Sequence, residues 1–260
     1  MNQQQLDKYI LGAGKLYFDP EDANEALTGE IYLGDTPGFT LAVASEIVED
    51  WSSDSKIAER HAVAATRLTR SSSVTVKNIS MLNLGLFLVG DDASLSQTAT
   101  PVVGETHTVQ QGRYYQLGRS ASNPGGVRNV SSVAVKGSGG TPTHVLDTDY
   151  SIDLAAGLIY IIPGGGIADD DVIEVDYTPA AETRNRVTTS DSGVKYGAIH
   201  FIADNTNGEN RDLYIPRGIL RPDGELAMKS RDTFMEMAFT MDIMKRPGWA
   251  QVIIDDRAVA

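Results

Sequence analysis

The side chains best able to do chemistry are scattered along this chain. Four histidines, His61, His107, His144 and His200, stand far apart, and none falls in an H-x-x-E-H or comparable ligand spacing. They read as exposed or hydrogen-bonded strand histidines, not as a metal site. Gly12-Ala13-Gly14-Lys15 has the composition of a phosphate loop but lacks its G-x-x-x-x-G-K-[ST] spacing, so a glycine-permitted bend at a strand start is the better account. Two acidic turns, one holding Asp19, Glu21, Asp22 and Glu25 and the other Asp169, Asp170 and Asp171, offer oxygen ligands of the kind calcium takes. Neither follows the EF-hand pattern, and aspartate commonly caps turns. No G-x-S-x-G elbow is present, and Ser71 to Ser73 have no histidine and aspartate in a recognisable arrangement. Tyr114-Tyr115 suits stacking on a sugar ring, but successive strand residues point to opposite sides, so at most one faces a ligand. The expectation is a chain that is not an enzyme, with no catalytic residue, metal or cofactor.

The elements around these residues read as short strands. Leu11 to Phe18 and Glu30 to Leu33 flank the turn-rich D-P-E-D-A-N-E-A-L-T-G, and Pro37-Gly38 introduces a further strand at Phe39. Ser80 caps and Gly90 ends one expected helix built on Met81, Leu82, Leu84, Leu86, Phe87 and Leu88. From Thr98 to about Pro179 the chain is rich in Val, Thr, Gly, Ser and Tyr. Short alternating runs at Ser132 to Val135, Leu158 to Ile162 and Val172 to Tyr177 have the spacing of a small β-sandwich or barrel. This middle part looks like an inserted module. Ala181 to Gly193 reads as a polar linker, followed by strands at Tyr196 to Ala203, Asp212 to Ile219 and Glu225 to Met228. In T-F-M-E-M-A-F-T-M-D-I-M, Met235, Met237, Phe239, Met241 and Ile243 alternate with Glu236, Ala238, Thr240 and Asp242. One face is therefore core and the other carries carboxylates outward. The chain closes on a short strand with an acidic end.

Composition narrows the partners. The 260 residues, 41% of them hydrophobic, can bury a substantial core in one large or two modest domains. A formal net charge of -13 opposes an ordinary nucleic-acid-binding surface, which draws its affinity from clustered Lys and Arg. The absence of cysteine removes disulfides, thiolate catalysis and Cys-ligated zinc. The start M-N-Q-Q-Q-L-D-K-Y-I lacks signal-peptide character, and the longest apolar run, Met81 to Val89, is far below the ~20 residues that cross a bilayer. A soluble, non-secreted chain without membrane insertion is expected.

One stretch departs from an ordinary β pattern. Phe39, Leu41, Val43 and Ile47 share one face of a strand and Thr40, Glu46 and Asp50 the other, but from Trp51 to His61 the residues are mainly charged or small. Tight hairpins use about two to five connecting residues, so this longer polar connection reads as a projecting arm or a disordered loop. With little apolar surface of its own, Asp50 to His61 should be ordered mainly by neighbouring subunits, with Trp51 buried at the arm's base or between subunits.

These pieces together resemble the tail tube proteins (major tail proteins) of long-tailed bacteriophages. The resemblance is carried by G-E-I-Y-L-G-D-T-P-G-F-T-L-A-V at Gly29 to Val43, W-S-S-D-S at Trp51 to Ser55, the helix after N-I-S and the late acidic-faced strand. The middle segment, with V-S-S-V-A-V and T-D-Y-S-I-D-L-A-A-G-L-I-Y-I, is similar to the β module inserted in some of those proteins. It covers most of the chain and rests on element order and short phrases. The resemblance implies a mainly β fold: a β-sandwich or split-barrel tube domain with one short flanking helix, formed by 1–98 and 180–260, plus a small β module at 99–179 on the outer surface.

It also implies a structural virion protein, made in the host bacterial cytoplasm, whose hexameric rings stack into the tail tube that conducts DNA during ejection. Expected partners are further copies of the chain and other tail proteins such as tape measure and tail terminator, with DNA passing through unbound. Trp51, Asp54, Lys56, Glu59 and Arg60 match the family's arm to a neighbouring ring or subunit, and both polar tails would add contacts. Glu236 and Asp242 are candidate lumen-facing carboxylates, because acidic side chains there would repel phosphates. Two other functions compete: a carbohydrate- or receptor-binding β-sandwich protein using Tyr114 or Tyr115, and a divergent hydrolase with a distributed acidic pair.

Overall fold

The computed structural model describes residues 9–54, 56–189 and 194–257. The fold is mainly β, 53% strand and 3% helix, with several antiparallel sheets. In chain order the first elements are β1 (Gly14–Pro20), β2 (Ile31–Tyr32), β3 (Gly38–Trp51), β4 (Arg60–Val76), α1 (Met81–Phe87) and β5 (Gly90–Gln97). Six strands follow: β6 (Val102–Thr108), β7 (Tyr114–Gln116), β8 (Val130–Gly137), β9 (Tyr150–Asp153), β10 (Leu158–Ile161) and β11 (Val172–Pro179). The chain ends with β12 (Glu182–Thr189), β13 (Lys195–Ala203), β14 (Arg211–Asp223), β15 (Met237–Ile243) and β16 (Ile253–Asp256). It divides into two compact units, Met1–Ala93 with Arg186–Ala260, and Ser94–Asn185. Both passages between the units run through β5 and β12, which pair as a two-stranded sheet.

The first unit is built on an eight-stranded sheet in the order β2-β1-β13-β14-β15-β4-β3, with β16 on β14. Strand β14 serves two partners, pairing Arg211 to Tyr214 with β16 and Gly218 to Asp223 with β15. The sheet curls on itself. Phe39 of β3 meets Phe201 of β13 with ring centroids 5.5 Å apart, although β14, β15 and β4 lie between those strands in the sheet. Inside the curl sit Leu16, Phe18, Val74, Val76, Met237, Phe239 and Met241, all buried. The alternation expected at Met237 to Ile243 is present, with Met237, Phe239, Met241 and Ile243 inward.

Helix α1 closes one side of this core. Ser80 caps it by accepting from Asn83 N at 3.1 Å, and Asn83 Nδ2 donates to Leu33 O at 2.9 Å and Asn78 O at 2.8 Å. Seven residues are too few for a helix to hold alone. It is held by the core: Leu84, Leu86 and Phe87 pack there, and Phe87 meets Phe239 edge to face at 5.8 Å. The expected glycine stop is not what ends the helix. Val89, not Gly90, takes the positive φ of +49°. Gly90 is needed instead because a Cβ there would come within 2.4 Å of Thr188 O.

Two other expectations are corrected. The linker at Ala181 to Gly193 is strand β12 over Glu182–Thr189, its last four residues lying outside the described ones. Glu225 to Met228 is not a strand. At the acidic C-terminal end, Asp256 stands 2.6 Å from Arg211 and Asp212 2.7 Å from Arg257. The N-terminal tail up to residue 8 lies outside the described residues.

The second unit is β-sandwich-like. Sheets β7-β10-β9 and β6-β11-β8 share one core. Ile159 and Ile161 of β10, Tyr150 of β9, Ile173, Val175 and Tyr177 of β11 and Val135 of β8 all bury into it, as the alternation of those runs requires.

Candidate functional site

The polar stretch after Phe39 belongs to a ribbon that extends beyond its own sheet. Strands β3 and β4 pair continuously from Gly38 opposite Thr75 to Trp51 opposite Arg60, with bulges after Glu46 and Asp50. Strand β15 pairs β4 only from Ser71 to Val76. From Val43 to Trp51 the hairpin therefore has no third strand among the described residues, a length on the order of 30 Å at about 3.3 Å per residue. The connection is Ser52 to Glu59, closed by Ser52 N donating to Glu59 O at 2.8 Å. This corrects the expected arm in one way: the projecting stretch starts eight residues before Trp51, as a paired ladder that runs to Trp51 and Arg60.

Register assigns each ribbon residue to a face. Cross-strand partners share a face, so Val43, Leu68, Ile47, Ala65, Val63 and Trp51 lie together with Ser45, Glu49, Arg60 and Arg70. Farther back that same face carries Phe39 and Val74, which pack in the core of the curl. The ribbon is thus a core face continued past the core. Val43, Ile47, Trp51, Val63 and Leu68 are each between 51% and 58% exposed. The opposite face is Ala44, Thr69, Glu46, Arg67, Val48, Ala64, Asp50 and Ala62.

Of the expected arm residues, Trp51 sits at the ribbon's tip, not at its base, and is half exposed within this chain. Arg60 bonds Glu49 at 2.9 Å across the ribbon. Asp54, Lys56 and Glu59 stand exposed on the connection, where Ser55 lies outside the described residues.

The other face of the sheet is polar and small. Its rows run Asp223, Ala238, Thr75, Gly38; Arg221, Thr240, Ser73, Thr40; and Ile219, Asp242, Ser71, Ala42. Hydroxyls pair along it, Thr40 with Ser73 at 2.6 Å and Thr240 donating to Asp223 at 2.9 Å. Asp242 lies on this face, and Glu236 continues its alternation just before β15. Neither is a bare carboxylate. Asp242 is ion-paired with Arg221, and Glu236 stands 3.5 Å from Lys77. Both carboxylates thus lie on the polar face among hydroxyls, each beside a cation.

The remaining candidates are absorbed locally. Each histidine faces one carboxylate: His61 Asp50 at 3.9 Å, His107 Glu105 at 3.0 Å, His144 Asp149 at 3.7 Å and His200 Glu30 at 2.9 Å. Among the described residues no three His, Asp or Glu side chains are grouped to hold a metal ion. Asp22 accepts from the backbone N–H of Asn24 and Ala26, and those bonds hold its carboxyl below the usual range. Glu21 is buried against Arg217 and Arg246 at 3.1 and 3.5 Å. Asp169 and Asp171 accept from Gln111 N and Ala168 N. At Gly14 a Cβ would lie 2.4 Å from Ile202 O, so that glycine serves close strand packing. Tyr114 points outward, and the Tyr115 hydroxyl accepts from Gln110 N at 2.7 Å.

These features define a mainly β chain with a curled sheet, a projecting apolar-faced ribbon and a separate β-sandwich-like unit. The chain belongs to the family described as protein of unknown function UCP028589, whose model matches residues 9–249. No curated protein matches it.

Proposed function

We propose that this protein is a structural subunit that assembles with copies of itself into stacked hexameric rings, forming a tube like the tail tube of long-tailed bacteriophages, with DNA passing through. The observation that carries the reading is the ribbon, whose apolar face continues the core face and has no covering within the described residues. Burying a side chain of this size completely stabilises by about 1.5–3 kcal/mol, so covering a half-exposed one contributes roughly 1 kcal/mol. Five such side chains supply roughly 5 kcal/mol, near the lower end of the ~4–15 kcal/mol that association costs. A single ribbon contact is weak by that measure. Ring closure, in which every copy both gives and receives a ribbon, is the arrangement that makes it sufficient.

The polar sheet face suits a conduit. Its Arg221 is engaged by Asp242, so the face offers phosphates no free cationic cluster and does not retain them. On this reading the protein is not an enzyme, it resides in the virion, and its partners are further copies and the proteins that begin and end the tube.

Size-exclusion chromatography with light scattering, combined with negative-stain imaging, tests the proposal. Rings or tubes of uniform diameter are expected from the wild type. Ile47→Glu combined with Leu68→Glu should give folded monomers with unchanged far-ultraviolet circular dichroism. A wild-type chain that stays monomeric at millimolar concentration would refute the assembly.

A further inference from the structure

The second unit carries a polar cleft with no part in the function proposed above. It lies between β6 and β7, the facing edge strands of the two sheets, and has a volume of about 800 Å³. That is within the ~300–1,000 Å³ typical of ligand pockets. Three features of its lining point to one kind of ligand.

The first is an exposed aromatic platform. Tyr114 pairs directly across the strands with Tyr160, their ring centroids 4.7 Å apart, and Tyr114 is 64% exposed. A flat, solvated ring braced by a second ring suits the C–H face of a pyranose. The second is a pair of uncommitted cations. Arg113 and Arg119 are both exposed and, among the described residues, face no carboxylate, whereas Arg60, Arg184, Arg211, Arg217, Arg246 and Arg257 each do. In a chain of net charge -13, two unpaired guanidinium groups in one cleft form a local positive site.

The third is that the cleft's own carboxylate does not neutralise them. Glu105 accepts from Gly118 N at 3.0 Å and from the Tyr177 hydroxyl, and stands 3.0 Å from His107 Nε2. We propose that this cleft binds an acidic saccharide, with a sugar ring against Tyr114 and a uronate carboxylate on Arg113 and Arg119. Thr106 and Ser120 in the lining add hydroxyl partners. Single-stranded nucleic acid fits less well, because it requires successive stacking platforms along a basic groove and the whole chain's charge opposes a long polyanion.

The test is isothermal titration of the full chain with hexagalacturonate, with neutral cellohexaose and with a six-residue oligothymidylate. Saturable binding of hexagalacturonate that weakens with added salt is expected, with cellohexaose at least about tenfold weaker. The double variant Arg113→Ala with Arg119→Ala should remove that preference. Tyr114→Ala should weaken both sugars by about tenfold, and Tyr114→Phe should keep the binding. Equal binding of both sugars, tighter binding of the oligothymidylate, or no uronate binding at millimolar concentration would each overturn the assignment. Unchanged thermal unfolding of the variants separates lost binding from lost fold, and none of these readings depends on whether rings form.

Discussion

Glu105 shows how one residue ties local structure to stability. Burial pushes its carboxyl up, but the His107 ring 3.0 Å away and hydrogen bonds from the Tyr177 hydroxyl and the Gly118 N–H outweigh burial and hold it below its ordinary 4.5. A carboxyl depressed in the folded state contributes stability that is present above its unfolded value and lost as pH falls through its folded one. The thermal midpoint should therefore fall as pH drops below 4.5. Glu105→Gln should lower the midpoint at neutral pH and narrow the gap to wild type below that pH, as differential scanning calorimetry would read. Tyr177 marks the alkaline end: burial, aided by Glu105, pushes its hydroxyl up from 10.0, so its contribution is full below pH 10 and lost progressively as pH rises from there through the raised folded value. Such groups were only partly legible in the sequence. The outward Tyr114 and inward Tyr115 follow from strand alternation, but Glu105, Arg113 and Arg119 meet only because two sheets place their edges side by side.

At the scale of elements, legibility followed how much of the folding signal was local. The cap at Ser80 and the alternation of β15 are short-range patterns, and both appear where the residues place them. Strand β12 escaped because Glu182, Arg184, Asn185 and Arg186 leave no apolar face; among the described residues it pairs with β5 alone. Strand β3 has a clear apolar alternation, yet Val43 and Ile47 are exposed, since periodicity assigns a face without saying what covers it. Helix α1 depends on Asn83, whose amide joins two backbone carbonyls from the segments before the helix. Asn83→Ala leaves Leu33 O and Asn78 O without that donor and should cost about 1–3 kcal/mol, measured by urea unfolding. An unchanged midpoint would mean that packing of Phe87 and Leu86 alone holds the helix.

For the whole molecule, the middle stretch of short Val- and Thr-rich runs between turn clusters does form a compact β unit, and the flanking segments combine into another. Sheet order and the approach of β3 to β13 were not legible, because they depend on pairings such as β1 with β13 and β15 with β4, between residues more than a hundred positions apart. The central claim is that the ribbon's apolar face is a subunit interface. The natural chain has no cysteine, so a single introduced thiol reports its own environment. The most direct measurement is the maleimide labelling rate of Leu68→Cys in assembled particles and in dissociated chains, against Val103→Cys, a 79% exposed position in the other unit. Assembly should slow labelling at residue 68 by at least about tenfold, in line with loss of an opening equilibrium worth ~1.4 kcal/mol, and leave residue 103 unchanged. Equal labelling of the two positions in the assembled particles would contradict the account.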